Sequence, residues 1–117
     1  MKTQSKTIAT MLAISAAFLL AACSKPADDV FIGTWQSPAR KTEHIVIERN
    51  GDGFMIHDFA PSFFDGKPSE RKLPAIYKDG VLQASTGMGT ANFGHDAKND
   101  TLTVQTLGGS LDFTRIK

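Results

Sequence analysis

The chain has 117 residues, of which 13 are basic and 12 acidic, so its formal net charge is +1. This length leaves room for one domain of modest size. Because no stripe of basic residues is present, nucleic acids and anionic lipid headgroups are poor partners. Cys23 is the single cysteine, which excludes an intrachain disulfide and a thiolate metal site.

Residues 1–22 have the pattern of a secretory signal peptide. Lys2 and Lys6 form a positively charged head, and residues 8–22 form an apolar run that only two hydroxyl residues interrupt. The run is too short to cross a hydrocarbon core of about 30 Å as a stop-transfer helix. We therefore expect the leader to direct export and then to be removed.

The end of the leader, Leu20-Ala21-Ala22-Cys23, resembles the lipobox of bacterial lipoproteins. In that family the Cys thiol is diacylated, the leader is cut in front of the Cys, and the new amino group is usually acylated. The resemblance implies that Leu20, Ala21 and Ala22 are the signal-peptidase recognition residues and that Cys23 carries the lipid. An ordinary secretory leader followed by a chance cysteine is the alternative.

A lipid on Cys23 would anchor the chain permanently, because two or three acyl chains exceed the marginal affinity of one, at about 0.8 kcal/mol for each buried CH₂. In Gram-negative lipoproteins an Asp after the Cys tends to retain the protein in the inner membrane, and here this residue is Ser24. The resemblance implies an outer-membrane lipoprotein facing the periplasm; surface display and a Gram-positive host stay open. Residues 23–30 are the expected tether. Asp28 and Asp29 are expected to be solvated there; the alternative is that their charges keep the tether off the membrane surface.

Residues 31–117 have the pattern of one all-β domain, in which short β-type runs alternate with turn residues. Asn50-Gly51-Asp52-Gly53 and Asp79-Gly80 supply the positive φ angles that tight hairpin turns need. The eight predicted strands cover residues 31–37, 42–49, 54–59, 71–78, 81–85, 90–95, 101–106 and 110–117.

Prolines mark the weakest part of this strand pattern. Pro61 and Pro68 predict a long connection over residues 60–70 that is not a continuous ladder strand, and Pro74 predicts an edge or a bulge in the strand that follows.

The predicted fold is a small antiparallel up-and-down β-barrel of about eight strands. Short connections favour a meander, and closing the meander into a barrel removes its exposed edges. An open curved sheet and a sandwich are the alternatives. The large side chains expected to fill the interior are Trp35, Ile45, Ile47, Phe54, Ile56, Leu102, Val104, Leu111 and Phe113.

Gly33-Thr34-Trp35 in the first predicted strand resembles the Gly-x-Trp signature of the lipocalin and calycin-like barrels. Arg115, in the last strand, lies where those families place an Arg over the Trp. The resemblance implies that Trp35 and Arg115 meet where the barrel closes, with the guanidinium stacked on the indole and bonded to carbonyls. It also implies a small apolar ligand. The alternative is that Trp35 is a core residue and Arg115 is solvated.

No group of residues carries a catalytic pattern, so the sequence predicts neither an enzyme nor a cofactor or metal. His44, His57 and His95 lie on three different predicted strands, without the spacing that presents two ligands to one metal. Sequence neighbours in a strand point to opposite faces, so the pair His57-Asp58 does not predict a catalytic dyad. No serine lies in a Gly-x-Ser-x-Gly motif.

Phe63 and Phe64 are two large aromatic residues in a segment otherwise made of turn residues. One interpretation is that this loop folds over the barrel end as a plug. The other is that the rings are an exposed contact for a partner.

Two functional hypotheses follow. The first is a protein-binding or structural factor of the cell envelope, which the small size favours because an eight-stranded barrel is filled by its own side chains. The alternative is a lipocalin-like binder of a small apolar ligand.

Overall fold

A computed structural model describes residues 26–116 as one closed, all-antiparallel barrel of eight strands in chain order. The predicted barrel is confirmed, and the open sheet and the sandwich are excluded. The strands are β1 (Gly33–Gln36), β2 (His44–Asn50), β3 (Gly53–Pro61), β4 (Pro68–Lys78), β5 (Val81–Ser85), β6 (Thr90–Asp96), β7 (Thr101–Thr106) and β8 (Gly109–Arg115).

The register follows from the turn residues. Asn50 pairs with Gly53 and Lys78 with Val81, so each hairpin closes through a two-residue turn. Gly51 has a φ of +59° and Gly80 a φ of +84°, the conformation in which glycine carries no steric cost. The closing seam is short, because β1 and β8 share only two register pairs.

Alternation along the strands directs one apolar face of every strand into the barrel. The buried apolar core consists of Phe31, Trp35, Ile45, Ile47, Phe54, Ile56, Leu73, Ala75, Leu82, Ala84, Ala91, Phe93, Leu102 and Phe113. Val104 is partly buried against this core. The expectation that Leu111 fills the interior is wrong: it is 46% exposed, because it lies where the barrel opens to solvent.

The two ends of the barrel differ. A short 3₁₀ helix, Ala27–Phe31, precedes β1 and places Phe31 against the core, so we name this end the capped end. Its turns cover residues 51–52, 79–80 and 97–100. The connections at the opposite end, which we name the open end, cover residues 37–43, 62–67, 86–89 and 107–108.

Strands β3 and β4 form a hairpin that extends beyond its neighbours at the open end. Their ladder runs to Pro61 opposite Pro68, whereas β4 pairs with β5 only from Ala75 onward. The expectation of a long irregular connection over residues 60–70 is therefore wrong. The prolines are tolerated because their missing N–H groups lie where no ladder bond is needed.

The segment before β1 also differs from expectation. Residues 27–31 form the 3₁₀ helix rather than a tether followed by a strand. Asp28 and Asp29 are not free in solvent, since the Arg49 guanidinium donates hydrogen bonds of 3.1 Å to Asp28 Oδ2 and 2.6 Å to Asp29 Oδ1. This pairing with Arg49 holds the pKa of Asp28 below its usual value. The chain is thus fixed to the barrel from about residue 27.

Candidate functional site

The Trp35–Arg115 pair closes the capped end. The two residues are register partners, and the guanidinium carbon of Arg115 lies 4.2 Å from the centre of the indole ring. Arg115 also donates hydrogen bonds of 2.7 Å to the carbonyl oxygens of Ile32 and Val30. The Trp35 indole N–H donates to the carbonyl of Phe31 at 3.0 Å. The first and last strands are therefore joined by stacking and hydrogen bonds together.

Gly33 is required by the same arrangement. Its φ is +143°, and a Cβ added there would lie 2.5 Å from Arg115 Nη1. A side chain at this position would thus displace the guanidinium, in addition to the strain of the backbone conformation. This gives the Gly-x-Trp pattern a physical basis in this chain.

A carboxylate completes the capped end. Asp100 accepts hydrogen bonds from Arg115 Nε at 2.7 Å and Nη2 at 3.2 Å, and its Oδ1 lies 2.8 Å from His95 Nε2. Arg115, and then His95, lower the pKa of Asp100 to about 2. The His95 ring meets the Trp35 ring edge-on at 5.9 Å. These polar groups hold the barrel shut at the capped end.

The histidines do not converge. His44 stacks on Phe59 on the outer face, with ring centres 4.5 Å apart, while His95 lies at the capped end. His57 lies between Glu48 and Glu70, at 3.0 and 2.9 Å, and these two carboxylates raise its pKa. Within residues 26–116, no cluster of three potential metal-ligating side chains is present.

The open end carries exposed apolar side chains at the tips of three connections. Phe63 is 99% exposed and Phe64 96%, Met88 86% and Leu107 87%. We name these four residues the apolar rim. The hypothesis that the Phe63-Phe64 loop plugs the barrel is wrong, because neither ring touches the core. The turns at the capped end have only polar or small residues at their tips.

Hydrogen bonds within the tip brace the backbone that carries the two phenylalanines. The N–H of Ser62 donates to the Lys67 carbonyl at 2.7 Å, and that of Gly66 to the Ser62 carbonyl at 2.9 Å. The N–H of Lys67 donates to Asp65 Oδ1 at 3.0 Å. The two rings meet edge-on at 6.2 Å. The loop therefore presents its rings from a defined backbone.

Grooves connect the members of the apolar rim. A groove of about 520 Å³ lies between the Phe63-Phe64 tip and Met88, and a second of about 250 Å³ lies between Met88 and Leu107. Arg71 borders both grooves. The guanidinium of Arg71 donates a 2.7 Å hydrogen bond to Asp58 Oδ2. The rim thus surrounds one charged pair at the barrel mouth.

The space inside the barrel mouth is small. It measures about 110 Å³ and is bounded by core side chains such as Ile45, Phe93 and Phe113. Pockets that enclose a drug-sized ligand usually measure about 300 to 1,000 Å³. A groove of about 390 Å³ does exist, but it lies on the outer face, beside His44, Phe59 and Pro61.

Met88 and Leu107 were missed in the sequence. Each is a large apolar residue inside a glycine-containing turn, which is the same anomaly that drew attention to Phe63 and Phe64. In an up-and-down barrel, alternate connections lie at the same end. Counting connections along the predicted strands would therefore have placed all four residues together.

The lipobox residues Leu20, Ala21, Ala22 and Cys23 lie outside the described part of the chain. Among residues 26–116, no helix is long and apolar enough to span a membrane.

Comparisons of the chain with models of known protein families, with curated proteins and with solved structures found no match. The fold and the rim define the class: a small eight-stranded up-and-down barrel, capped at one end and with an apolar rim at the other.

Proposed function

We propose that this chain is a lipid-anchored protein of the bacterial envelope whose barrel binds another protein through the apolar rim. The observation that carries the proposal is the asymmetry of the two ends: four large apolar side chains are almost fully exposed at one end, and the turns of the other end are polar or small. Contiguous exposed apolar surface on a monomer is typical of interaction sites, and Phe and Met are enriched in them.

The position of the N-terminus supports the same proposal. Pro26 adjoins the capped end, and Cys23 precedes it by three residues, a span of at most about 10 Å. A lipid on Cys23 would hold the capped end at the membrane and direct the rim away from it. For an outer-membrane lipoprotein facing inward, the rim would point into the periplasm, where envelope proteins are the available partners.

A protein partner is favoured over a small apolar ligand. The mouth of about 110 Å³ is several times smaller than a typical ligand pocket, and the interior is filled by the core side chains. The likeness to lipocalin and calycin-like barrels, supported by the Trp35–Arg115 geometry, is proposed for the architecture and not for ligand binding.

Site-specific photo-crosslinking in intact cells tests the proposal. A photoreactive residue at Phe64 or Met88 should give a protein adduct of defined mass. The same residue at Asp52, in a capped-end turn, is the matched control and should give none. If neither rim position gives an adduct, or if Asp52 gives the same one, the rim is not the binding surface.

A further inference from the structure

Arg71 lies among the residues of the apolar rim with most of its hydrogen-bonding capacity unused. Its side chain is 59% exposed, and it borders both grooves that connect the rim. A guanidinium is a planar fork of several N–H donors. Within residues 26–116, the hydrogen bond that Arg71 donates goes to Asp58 Oδ2, at 2.7 Å. This bond fixes the guanidinium to the barrel and leaves its other donors free for a further acceptor.

The two grooves differ in charge. We name the groove of about 520 Å³ the first groove and that of about 250 Å³ the second groove. Among the described residues, Arg71 is the only charged one that borders the second groove. The first groove is also bordered by the carboxylates of Glu43, Asp58 and Glu70. An anion is therefore attracted to the second groove and repelled from the first.

We propose that the partner segment that docks on the apolar rim carries an Asp or Glu flanked by apolar residues, and that its carboxylate binds Arg71 in the second groove. The inference rests on the proposed function, since it names the chemistry of the protein that the rim binds. A guanidinium binds a carboxylate through paired, parallel hydrogen bonds. The apolar rim would exclude water from this pair, which is the setting in which an interfacial Arg contributes most to affinity.

The carboxylate belongs to a side chain rather than to the end of the partner chain. The rim extends to both sides of Arg71, with Phe63 and Phe64 along the first groove and Leu107 along the second. A chain that ended at Arg71 would cover only one of these sides. We therefore expect apolar partner residues on both sides of the acidic one.

The carboxylates of the first groove are less accessible than the guanidinium. The side chains of Asp58 and Glu43 are 16% and 15% exposed, and each has an arginine as its ion-pair partner. Glu70 Oε1 lies 2.9 Å from His57 Nδ1. Arg71 is thus the most accessible charge where the two grooves meet, so an acidic partner is favoured over a basic one.

Photo-crosslinking in intact cells from a benzophenone-bearing residue at Phe64 tests the inference. Arg71→Met and Arg40→Met each remove an arginine that is more than half exposed and ion-paired with a carboxylate. Only Arg71 borders the grooves. The yield of the partner adduct should fall about tenfold or more for Arg71→Met and less than about twofold for Arg40→Met. Equal yields from the two variants would overturn the inference.

Arg71→Lys keeps the test independent of how Arg71→Met folds, because it leaves a cation beside Asp58. Its Tm should stay within about 2 °C of the wild type. The adduct yield should still fall about threefold or more, since an ammonium cannot form the paired hydrogen bonds. A wild-type yield in this variant would overturn the inference.

Mass spectrometry of the adduct identifies the partner segment, which should contain an Asp or Glu between apolar residues. Changing this residue to its amide should lower the yield as Arg71→Met does, and Arg71→Met should then cause little further loss. Additive losses, a segment without an acidic residue, or a segment that ends the partner chain would overturn the inference. If Phe64 gives an adduct that the Arg71 substitutions do not affect, only this inference falls. If Phe64 and Met88 both give none, the proposed function falls with it.

Discussion

Trp35 and Arg115 face each other across the seam where the barrel closes, with the guanidinium 4.2 Å from the indole ring. Only two register pairs join β1 to β8, so the ladder alone is a short connection. Three further interactions strengthen this short connection: the stacking of Arg115 on Trp35, the hydrogen bonds from Arg115 to two carbonyls, and its ion pair with Asp100. The capped end is thus closed by stacking and charge-assisted hydrogen bonds, whereas the open end exposes the apolar rim.

Trp35→Ala should destabilise the protein by about 3 to 5 kcal/mol, as truncation of a fully buried large aromatic residue does. Arg115→Ala should cost about 2 to 3 kcal/mol, since it removes charge-assisted hydrogen bonds at a partly buried site. Urea denaturation measures both. Arg40→Ala is the control, because a side chain 66% exposed should change stability by less than about 0.5 kcal/mol. An Arg115→Ala effect as small as this control would contradict the proposed closure.

Gly33→Ala separates backbone strain from displacement of Arg115. Gly33 and Gly109 have similar positive φ angles, +143° and +124°, but an added Cβ meets Arg115 Nη1 at position 33 and nothing within 4 Å at position 109. Both substitutions should cost about 1 to 3 kcal/mol from backbone strain. Gly33→Ala should cost clearly more in the same urea experiment. Equal losses of stability in the two variants would show that the position of the Arg115 guanidinium does not depend on the absence of a side chain at Gly33.

The acid sensitivity of the barrel should depend on Asp100. Its pKa in the folded state, about 2, is below the ordinary value of 3.8. A carboxyl group with a depressed folded pKa contributes stability above its unfolded pKa, and this contribution is lost as the pH falls through the folded value. Unfolding measured between about pH 5 and 2 should show a fall in stability that is less steep in Asp100→Asn. If stability falls with pH equally steeply in the wild type and in Asp100→Asn, Asp100 is not the cause of the acid sensitivity.

Much of the fold could be predicted because the turns carry strong local signals. Asn50-Gly51-Asp52-Gly53 and Asp79-Gly80 set two hairpins in their observed registers. The prolines misled for a physical reason: a proline removes one donor, and this matters only where the donor would face a neighbouring strand. β5 ends at Ser85, which lies level with Pro74 in the register that the Asp79-Gly80 turn sets. The sequence does not show that β3 and β4 stay paired beyond that point, as far as Pro61 and Pro68.

The candidate site was predicted only in part. Phe63 and Phe64 stood out, but whether they cover the barrel or leave it open depends on how far the hairpin projects. Leu111 faces the barrel interior by the alternation of side chains along β8 but is still exposed. Alternation predicts which face of the sheet a side chain lies on, and it does not predict how deeply that side chain is buried. Asp100 reaches Arg115 and His95 because the β6–β7 turn positions it beside them. The local sequence does not predict where this turn lies relative to β8.

The lipobox prediction concerns the first 23 residues. The wild-type chain should be extracted from membranes with a mass that corresponds to cleavage before Cys23 and to added acyl chains. Cys23→Ser should remain an uncleaved or soluble precursor. Intact-mass spectrometry distinguishes these species. An unmodified wild-type chain that still begins at Met1 would contradict both the anchor and the localisation.

The most direct test of the apolar rim is crosslinking from Met88 in a chain that carries Phe63→Ser and Phe64→Ser. Because both rings are almost fully exposed, Tm should change by no more than about 2 °C. The yield of the partner adduct should fall about tenfold or more. Ile76→Ser, which removes an apolar side chain 58% exposed outside the rim, should leave both unchanged. An adduct yield that survives the double substitution, or a Tm that drops by many degrees, would contradict the account.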